Sequence, residues 1–224
     1  MQNVIEFLRQ LRLHNDRTWF EANKSWYRDA QSQFAAFVEE LIASIARFDS
    51  SVQGLSAKDC TYRIYRDTRF SADKTPYKTH MGAYVCRGGK KSGFAGYYFH
   101  VEPQGDRPDS HLLSAGIYMP DRDVLESIRE EILDNGAAFE ASVKRARGFR
   151  LYQGNKLKKF PAGFAAGGAY SDYLKLKDFY LEKFVGEDYM LQPDLARKAA
   201  ADFRKTFDFN ERLNRAVAYA FENR

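Results

Sequence analysis

The sequence predicts an α+β fold in which an antiparallel central sheet packs against a long N-terminal helix and C-terminal helices. Three observations carry this expectation. Apolar side chains recur at the helical period through residues 19–48. The period then changes to alternation in the middle of the chain, in segments rich in Tyr, Val and Phe. The links between those segments are mostly short, and Gly88-Gly89-Lys90-Lys91-Ser92-Gly93 is a flexible hairpin connection, which favours antiparallel pairing. No repeat and no Pro- or Ser-rich linker divides the chain, so one α+β domain over residues 1–224 is expected.

In chain order, Val4, Phe7, Leu8 and Leu11 give residues 3–13 one apolar helical face. His14, Asn15 and Asp16 break that helix, and Asn15 or Asp16 can cap the next one. The apolar run through Trp26, Tyr27, Phe34, Val38, Leu41 and Ile45 predicts a long helix with room for a kink. Residues 50–59 are polar, carry Gly54 and read as a loop. Strands are expected at 62–66, 82–87, 95–102 and 112–119. Pro120-Asp121 opens a helix that Asn135-Gly136 stops, and a second helix runs to about residue 147. Residues 148–170 are irregular, 173–176 a helical turn and 179–185 a returning strand. Pro193 sits in the first turn of a helix, where its missing N–H does no harm. The remainder is helical, with a break near Asp208.

At 224 residues, with 44% hydrophobic side chains, the chain can bury a core without disulfides or a structural metal. The charged fraction of 29%, with only 6 Pro and 15 Gly, excludes a disordered or collagenous protein. The longest apolar run, residues 216–221, is far too short to span a membrane. Glu6 and Arg9 interrupt the one N-terminal stretch that could serve as a signal peptide. Cys60 and Cys86 read as small buried hydrophobes rather than a disulfide framework or a metal pair, so a cytoplasmic location is expected.

The net charge of +5 is unevenly distributed. Residues 60–100 carry +6, residues 101–143 carry −7 and residues 144–171 carry +7. Such blocks arise from solvated faces or from opposite patches that meet in the fold, and equally from anion or polynucleotide sites. The densest chemistry lies in Arg63-Ile64-Tyr65-Arg66-Asp67-Thr68-Arg69-Phe70-Ser71-Ala72-Asp73-Lys74-Thr75-Pro76-Tyr77-Lys78-Thr79. Guanidinium groups offer planar forks to carboxylate or phosphate, and Lys acts as a point charge. Arg63, Arg66, Arg69, Lys74 and Lys78, with Tyr77 beside them and Asp67 and Asp73 orienting them, are the candidate ligand-binding residues. The same residues also fit a loop locked by internal pairing of Asp67 and Asp73 with Arg66, Arg69 and Lys74.

This segment resembles the signature of a bacterial and fungal family of conserved hypothetical proteins, a domain of unknown function. The signature reads Arg-x-Tyr-Arg-Asp-x-Arg-Phe-Ser-x-Asp-Lys-x-Pro-Tyr-Lys-Thr, and residues 63–79 match it throughout. Asn15-Asp16-Arg17-Thr18-Trp19-Phe20 is similar to the family's Asn-x-Arg-x-Trp-Phe element. Gly96 to Glu102 and Tyr173 to Lys177 resemble two later ones, while residues 103–111 and 144–171 fit least well. The resemblance implies membership over nearly the whole chain and assigns no catalytic role.

Weaker signals stand beside it. Ser71-Ala72-Asp73-Lys74 has the Ser-x-x-Lys spacing of penicillin-recognising acyl enzymes, but Pro76 comes at once after it and no Lys-Thr-Gly is present. Gly89-Lys90-Lys91-Ser92 joins two strands rather than a strand and a helix, which rules out a phosphate-binding loop. His100 and Glu102 alternate on a strand and share a face. They are the candidate general bases, and with His80 or His111 could hold a metal. No His pair has helical spacing, so no metal is assigned, and the cofactor is left open.

The leading expectation is a small phosphate- or carboxylate-bearing ligand bound at the cationic strand–loop site, with turnover if Glu102 or His100 acts as base. The alternatives are nucleic-acid binding through residues 60–100 and 144–171, where Lys144, Arg145 and Arg147 are the best candidates, and a structural or interaction protein whose loop is internally paired. No membrane partner is expected, and the oligomeric state is left open.

Overall fold

The computed structural model describes residues 1–103, 110–164 and 167–224. It bears out the α+β architecture. Helices α1 (Gln2–Leu13), α2 (Arg17–Ala22) and α3 (Lys24–Ile45) precede the sheet. A short helix α4 (Ala57–Cys60) leads to strands β1 (Met81–Cys86), β2 (Gly96–Val101) and β3 (His111–Ile117). Helix α5 (Arg122–Arg145) precedes strands β4 (Arg150–Leu151) and β5 (Phe179–Val185) and helices α6 (Glu187–Met190), α7 (Leu195–Arg204) and α8 (Phe207–Glu222).

The long N-terminal helix is divided at Asn23, whose backbone (φ −108°, ψ 21°) leaves the helical region. Its side-chain amide donates to the Trp19 carbonyl at 2.9 Å, closing the first segment. The Asp16 carboxylate starts that segment by accepting from the Trp19 N–H at 2.9 Å. Helix α4 lies where the sequence reads as loop: the Asp59 carboxylate accepts from the Ser56 N–H at 2.9 Å and stabilises one turn. The stop expected at Asn135-Gly136 is present inside α5, where Asn135 (φ −128°, ψ 31°) leaves the helical region and two helical segments meet at a kink. The final break falls at Lys205-Thr206, just before the Asp208 expected from sequence. The irregular stretch expected at 148–170 contains the two-residue β4, and residues 165–166 lie outside the described residues.

The sheet order is β1-β2-β3-β5-β4, every pair antiparallel. One face is the core. Ala83, Val85, Tyr97, Phe99, Leu113, Ala115 and Leu181 are buried there and meet the helices. Phe37 of α3 packs on Phe99 at 4.5 Å, and Phe203 of α7 on Tyr97 at 5.4 Å. Strand alternation sends Gly82, Tyr84, Tyr98, His100, Ser114, Gly116 and Tyr180 to the opposite face. At Gly116 (φ +130°) a Cβ would lie 2.1 Å from the Phe179 carbonyl oxygen, so only glycine lets β3 and β5 approach as they do.

The strand expected at 62–66 is not part of this sheet. Isolated bridges join Thr61 to Ala83 and Tyr65 to Tyr77. The Arg66 N–H donates to the Pro76 carbonyl and the Lys78 N–H to the Ile64 carbonyl, so the segment folds back on itself as a loose hairpin. Pro76 has no N–H to continue a ladder, which limits the pairing to these contacts. Asn15, 62 residues away, closes the arrangement. Its amide donates to the Tyr77 carbonyl at 2.9 Å, and its side-chain oxygen accepts from the Tyr77 N–H at 3.1 Å. The Tyr77 ring then stacks on Phe20 at 3.9 Å, in the core.

These contacts give two expected outcomes. Asn15→Ala leaves both backbone groups of the buried Tyr77 without this partner and should lower stability by about 1–3 kcal/mol, read from urea denaturation. Burial pushes the Cys60 thiol up to about 12 and the Cys86 thiol up to about 11. Neither should react with a disulfide reagent at about pH 8 in the native protein, and both should react once it is denatured.

Candidate functional site

The sheet face that the helices leave uncovered forms the floor of a cavity of about 540 Å³. Gly82, Gly116 and Ser114 supply small floor positions, and Tyr84, Tyr98 and Tyr180 stand around them. The hallmark hairpin closes one side with Tyr62, Arg63, Lys78 and His80, and the β1–β2 connection closes another with Lys90 and Phe94. Each wall is set by the strand register. Gly82 lies opposite His100, Tyr84 opposite Tyr98, and Tyr98 opposite Ser114, so one row of side chains crosses three strands. A methyl group at position 82 would come within 2.6 Å of the Tyr98 hydroxyl, so glycine there makes room for the phenol.

The hallmark cations divide into two groups. Arg66 is bonded to the Asp73 carboxylate and to the Thr75 hydroxyl, and donates to the Thr75 carbonyl at 3.2 Å. Arg69 forms a two-pronged pair with Asp67 at 3.0 and 2.6 Å. Lys74 donates to the Thr68 carbonyl at 2.9 Å. The Thr75 N–H and the Arg66 guanidinium hold the Asp73 carboxyl down to about 2, and the Arg69 guanidinium lowers Asp67. These residues fix the shape of the loop and do not line the cavity. Arg63 and Lys78 do line it, and among the described residues neither forms an ion pair or a side-chain hydrogen bond. Lys78 lies over the Tyr62 ring at 5.6 Å, and burial together with the nearby Arg63 charge lowers its pKa. Tyr77 is in the core, beneath the hairpin.

Glu102 and His100 do not line the cavity themselves but reach its wall at Tyr98 through a continuous polar chain. The Glu102 carboxylate lies 3.1 Å from His100 Nε2, and the Tyr98 hydroxyl lies 2.9 Å from His100 Nδ1. A carboxylate can only accept, so the neutral imidazole carries its proton on Nε2 and accepts the phenol O–H at Nδ1. The other Glu102 oxygen accepts from the Thr79 hydroxyl at 3.2 Å and lies 3.9 Å from the Arg12 guanidinium. The His100 contact lowers the Glu102 pKa against the opposing effect of burial. Burial raises Tyr98, which stays a phenol able to donate a hydrogen bond. The chain therefore connects a carboxylate to a cavity wall through one imidazole, an arrangement able to pass a proton.

His80 packs beside His100 with ring centroids 4.5 Å apart and the ring planes tilted by 32°. Burial, reinforced by the neighbouring His100, brings the His80 pKa down to about 4, so its imidazole is neutral at about pH 7. One donor atom from each of His80, His100 and Glu102 lies within 4.8 Å of the others. These are the residues that could hold a metal. Helical His spacing is not what assembles them: two antiparallel strands and their ends bring the groups together. His111 is engaged elsewhere, accepting from the Glu102 N–H at 3.1 Å.

Tyr84, Tyr98, Tyr180 and Lys90 line the cavity and are not among the candidate site residues read from the sequence. The signal is present in the alternation: on β1 and β2 the residues facing away from the core are Gly, Tyr and His rather than surface charges. A second, shallow cleft of about 500 Å³ carries the basic tract near residue 145, lined by Lys144, Arg145, Arg147, Arg204 and Lys205. Three of those cations are paired there, Lys144 with Glu140, Arg145 with Asp208 and Lys205 with Asp202.

Gly82→Ala should push the Tyr98 ring away from His100 and across the cavity floor. The expected cost is about 1–3 kcal/mol in denaturant unfolding, the usual range for overpacking.

Residues 3–211 match the model of a family described as a conserved hypothetical protein, DUF2461. No curated protein and no solved structure matches the chain. The hallmark hairpin, the Asn15–Phe20 element that clamps it and the β2 segment behind it all fall inside the matched span, and the chain belongs to the DUF2461 family.

Proposed function

We propose that the protein binds a small phosphate- or carboxylate-bearing ligand in the cavity on the open sheet face. The observation that carries this reading is the state of Arg63 and Lys78. They face one cavity, oppose each other electrostatically and form no ion pair among the described residues, and the one acid that feels the Arg63 charge, Asp67, is already paired with Arg69. The other three loop cations are all satisfied within the loop. An anion between Arg63 and Lys78 relieves their repulsion and supplies the missing partner. The volume suits a small molecule. The rings of Tyr62, Phe94 and Tyr180 favour a ligand with an apolar or planar body behind its charged group.

The internally paired reading of the hallmark fits Arg66, Arg69 and Lys74, whose role is to hold the hairpin in shape. In the form of the proposal that includes turnover, His100 is the base, kept in one tautomer by Glu102 and coupled to the cavity through Tyr98, while Arg63 and Lys78 stabilise developing negative charge.

Thermal unfolding in phosphate, pyrophosphate, nucleoside phosphates and dicarboxylates, with EDTA present and ionic strength held constant, tests the binding. At least one of these anions should raise the Tm in a saturable way. Loss of one charge-assisted contact is worth about 1.5–3 kcal/mol, so Arg63→Gln and Lys78→Met should each weaken binding by roughly ten- to a hundredfold. Arg69→Ala should leave it in place. No saturable shift with any anion, or equal loss with all three variants, would overturn the proposal.

A further inference from the structure

We propose that His80, His100 and Glu102 form a binding site for a divalent transition-metal ion, with Zn²⁺ as the expected occupant, at the margin of the sheet-face cavity. Two imidazoles and a carboxylate are a donor set that zinc and non-haem iron accept, usually with a further position open to water or substrate. The separations fit. Ligand atoms around a zinc ion with bonds of about 2.0–2.2 Å lie roughly 3.3–3.6 Å apart in a tetrahedral arrangement. His100 Nε2 and the Glu102 oxygen are already 3.1 Å apart, and the cluster as a whole spans no more than 4.8 Å. Small side-chain rotations bring the third donor in.

The surroundings are those of a prepared site. When His100 coordinates through Nε2, its proton moves to Nδ1 and is donated to the Tyr98 oxygen, 2.9 Å away, so the second ring nitrogen keeps a partner. The Glu102 oxygen not needed for the ion is held by Thr79. Two positive charges oppose the ion: Lys78, close enough to act on His80, and the Arg12 guanidinium, 3.9 Å from the Glu102 carboxylate. A bound anion offsets part of that charge.

His80 also lines the cavity, so the remaining coordination position is within reach of a molecule bound there. In that respect the inference rests on the proposed anion site, and it refines the ligand class to one whose phosphate or carboxylate oxygen completes the metal's coordination. A metal in that position polarises such an oxygen as a Lewis acid. The metal site itself stands on the three donors and their partners alone.

The test uses untagged full-length protein, stripped with EDTA, dialysed and titrated with Zn²⁺ against a chromophoric chelator, with Co²⁺ absorption as a second readout. One site per chain is expected, with the visible bands of four- or five-coordinate Co²⁺. His80→Asn and Glu102→Gln, each checked for fold by circular dichroism, should weaken Zn²⁺ binding by at least the ~10–100-fold that loss of an outer-shell partner costs. If one variant fails to fold, the other decides. Wild-type protein that binds no Zn²⁺ above the background of the folded variants would overturn the inference. The phosphate titration is run in EDTA and the zinc titration without phosphate, so failure of the metal site and failure of the anion site are read separately.

Discussion

The amide clamp between Asn15 and the backbone of Tyr77 is the constraint on which the rest of the site depends. Two hydrogen bonds from one side chain tie the link between α1 and α2 to a hairpin 62 residues later. The side chain supplies both an acceptor and a donor, so it satisfies the N–H and the C=O of one residue as a neighbouring strand would. The stack of Phe20 on Tyr77 adds apolar burial directly beneath it. With Tyr77 fixed, Lys78 is directed to the cavity and the chain runs through Thr79 and His80 into β1. The family's N-terminal element and its hallmark are thus two halves of one contact.

The sheet divides its labour by the period of two. The core side of the central strands is mostly apolar, with Tyr97 and Lys183 among it, and is buried under helices; the open side carries Gly, Tyr, Ser and His together with Cys86, Leu112, Glu182 and Phe184. Glycines at 82 and 116 lower the floor, and the tyrosines raise the walls with side chains that bring large apolar area and one hydroxyl each. Polar groups gathered on such a surface strengthen one another because water is partly excluded. That same exclusion makes Lys78 costly, since it is half-buried and forms no ion pair among the described residues, which is why the pairing state of the hallmark cations carries more information than their number.

Part of the alternation of charge along the chain is resolved by pairing in space. In the acidic block, Glu131 and Glu140 meet Arg212 and Lys144, while Asp121 and Asp123 meet Arg224. Arg145 of the second basic block meets Asp208. In the first basic block, Arg66 and Arg69 are neutralised by acids of the same loop. The net +5 of the sequence therefore says little about binding. Among the described residues, Arg63 and Lys78 are the hallmark cations that line the cavity without an ion pair.

The sequence by itself determined the α+β class, the four longer strands' approximate positions and the break near Asn135, because these rest on local period, turn chemistry and short links. It also determined the residue types of the site: His100 and Glu102 are legible as a pair from their spacing of two on a strand. Alternation places a strand at residues 62–66, since it is equally satisfied by a sheet and by a hairpin that folds back on itself. Helix α4 and strand β4 are not legible, because they are one turn and two residues long and depend on a cap and a neighbour. Only the tertiary structure decided which cations face the cavity, because Asp67 and Asp73 had several possible partners and pairing is settled by which side chains the folded hairpin brings within reach. Only the register of β1 on β2 brought His80 to His100, since groups about 20 residues apart share a site when strand pairing, not sequence spacing, sets their distance.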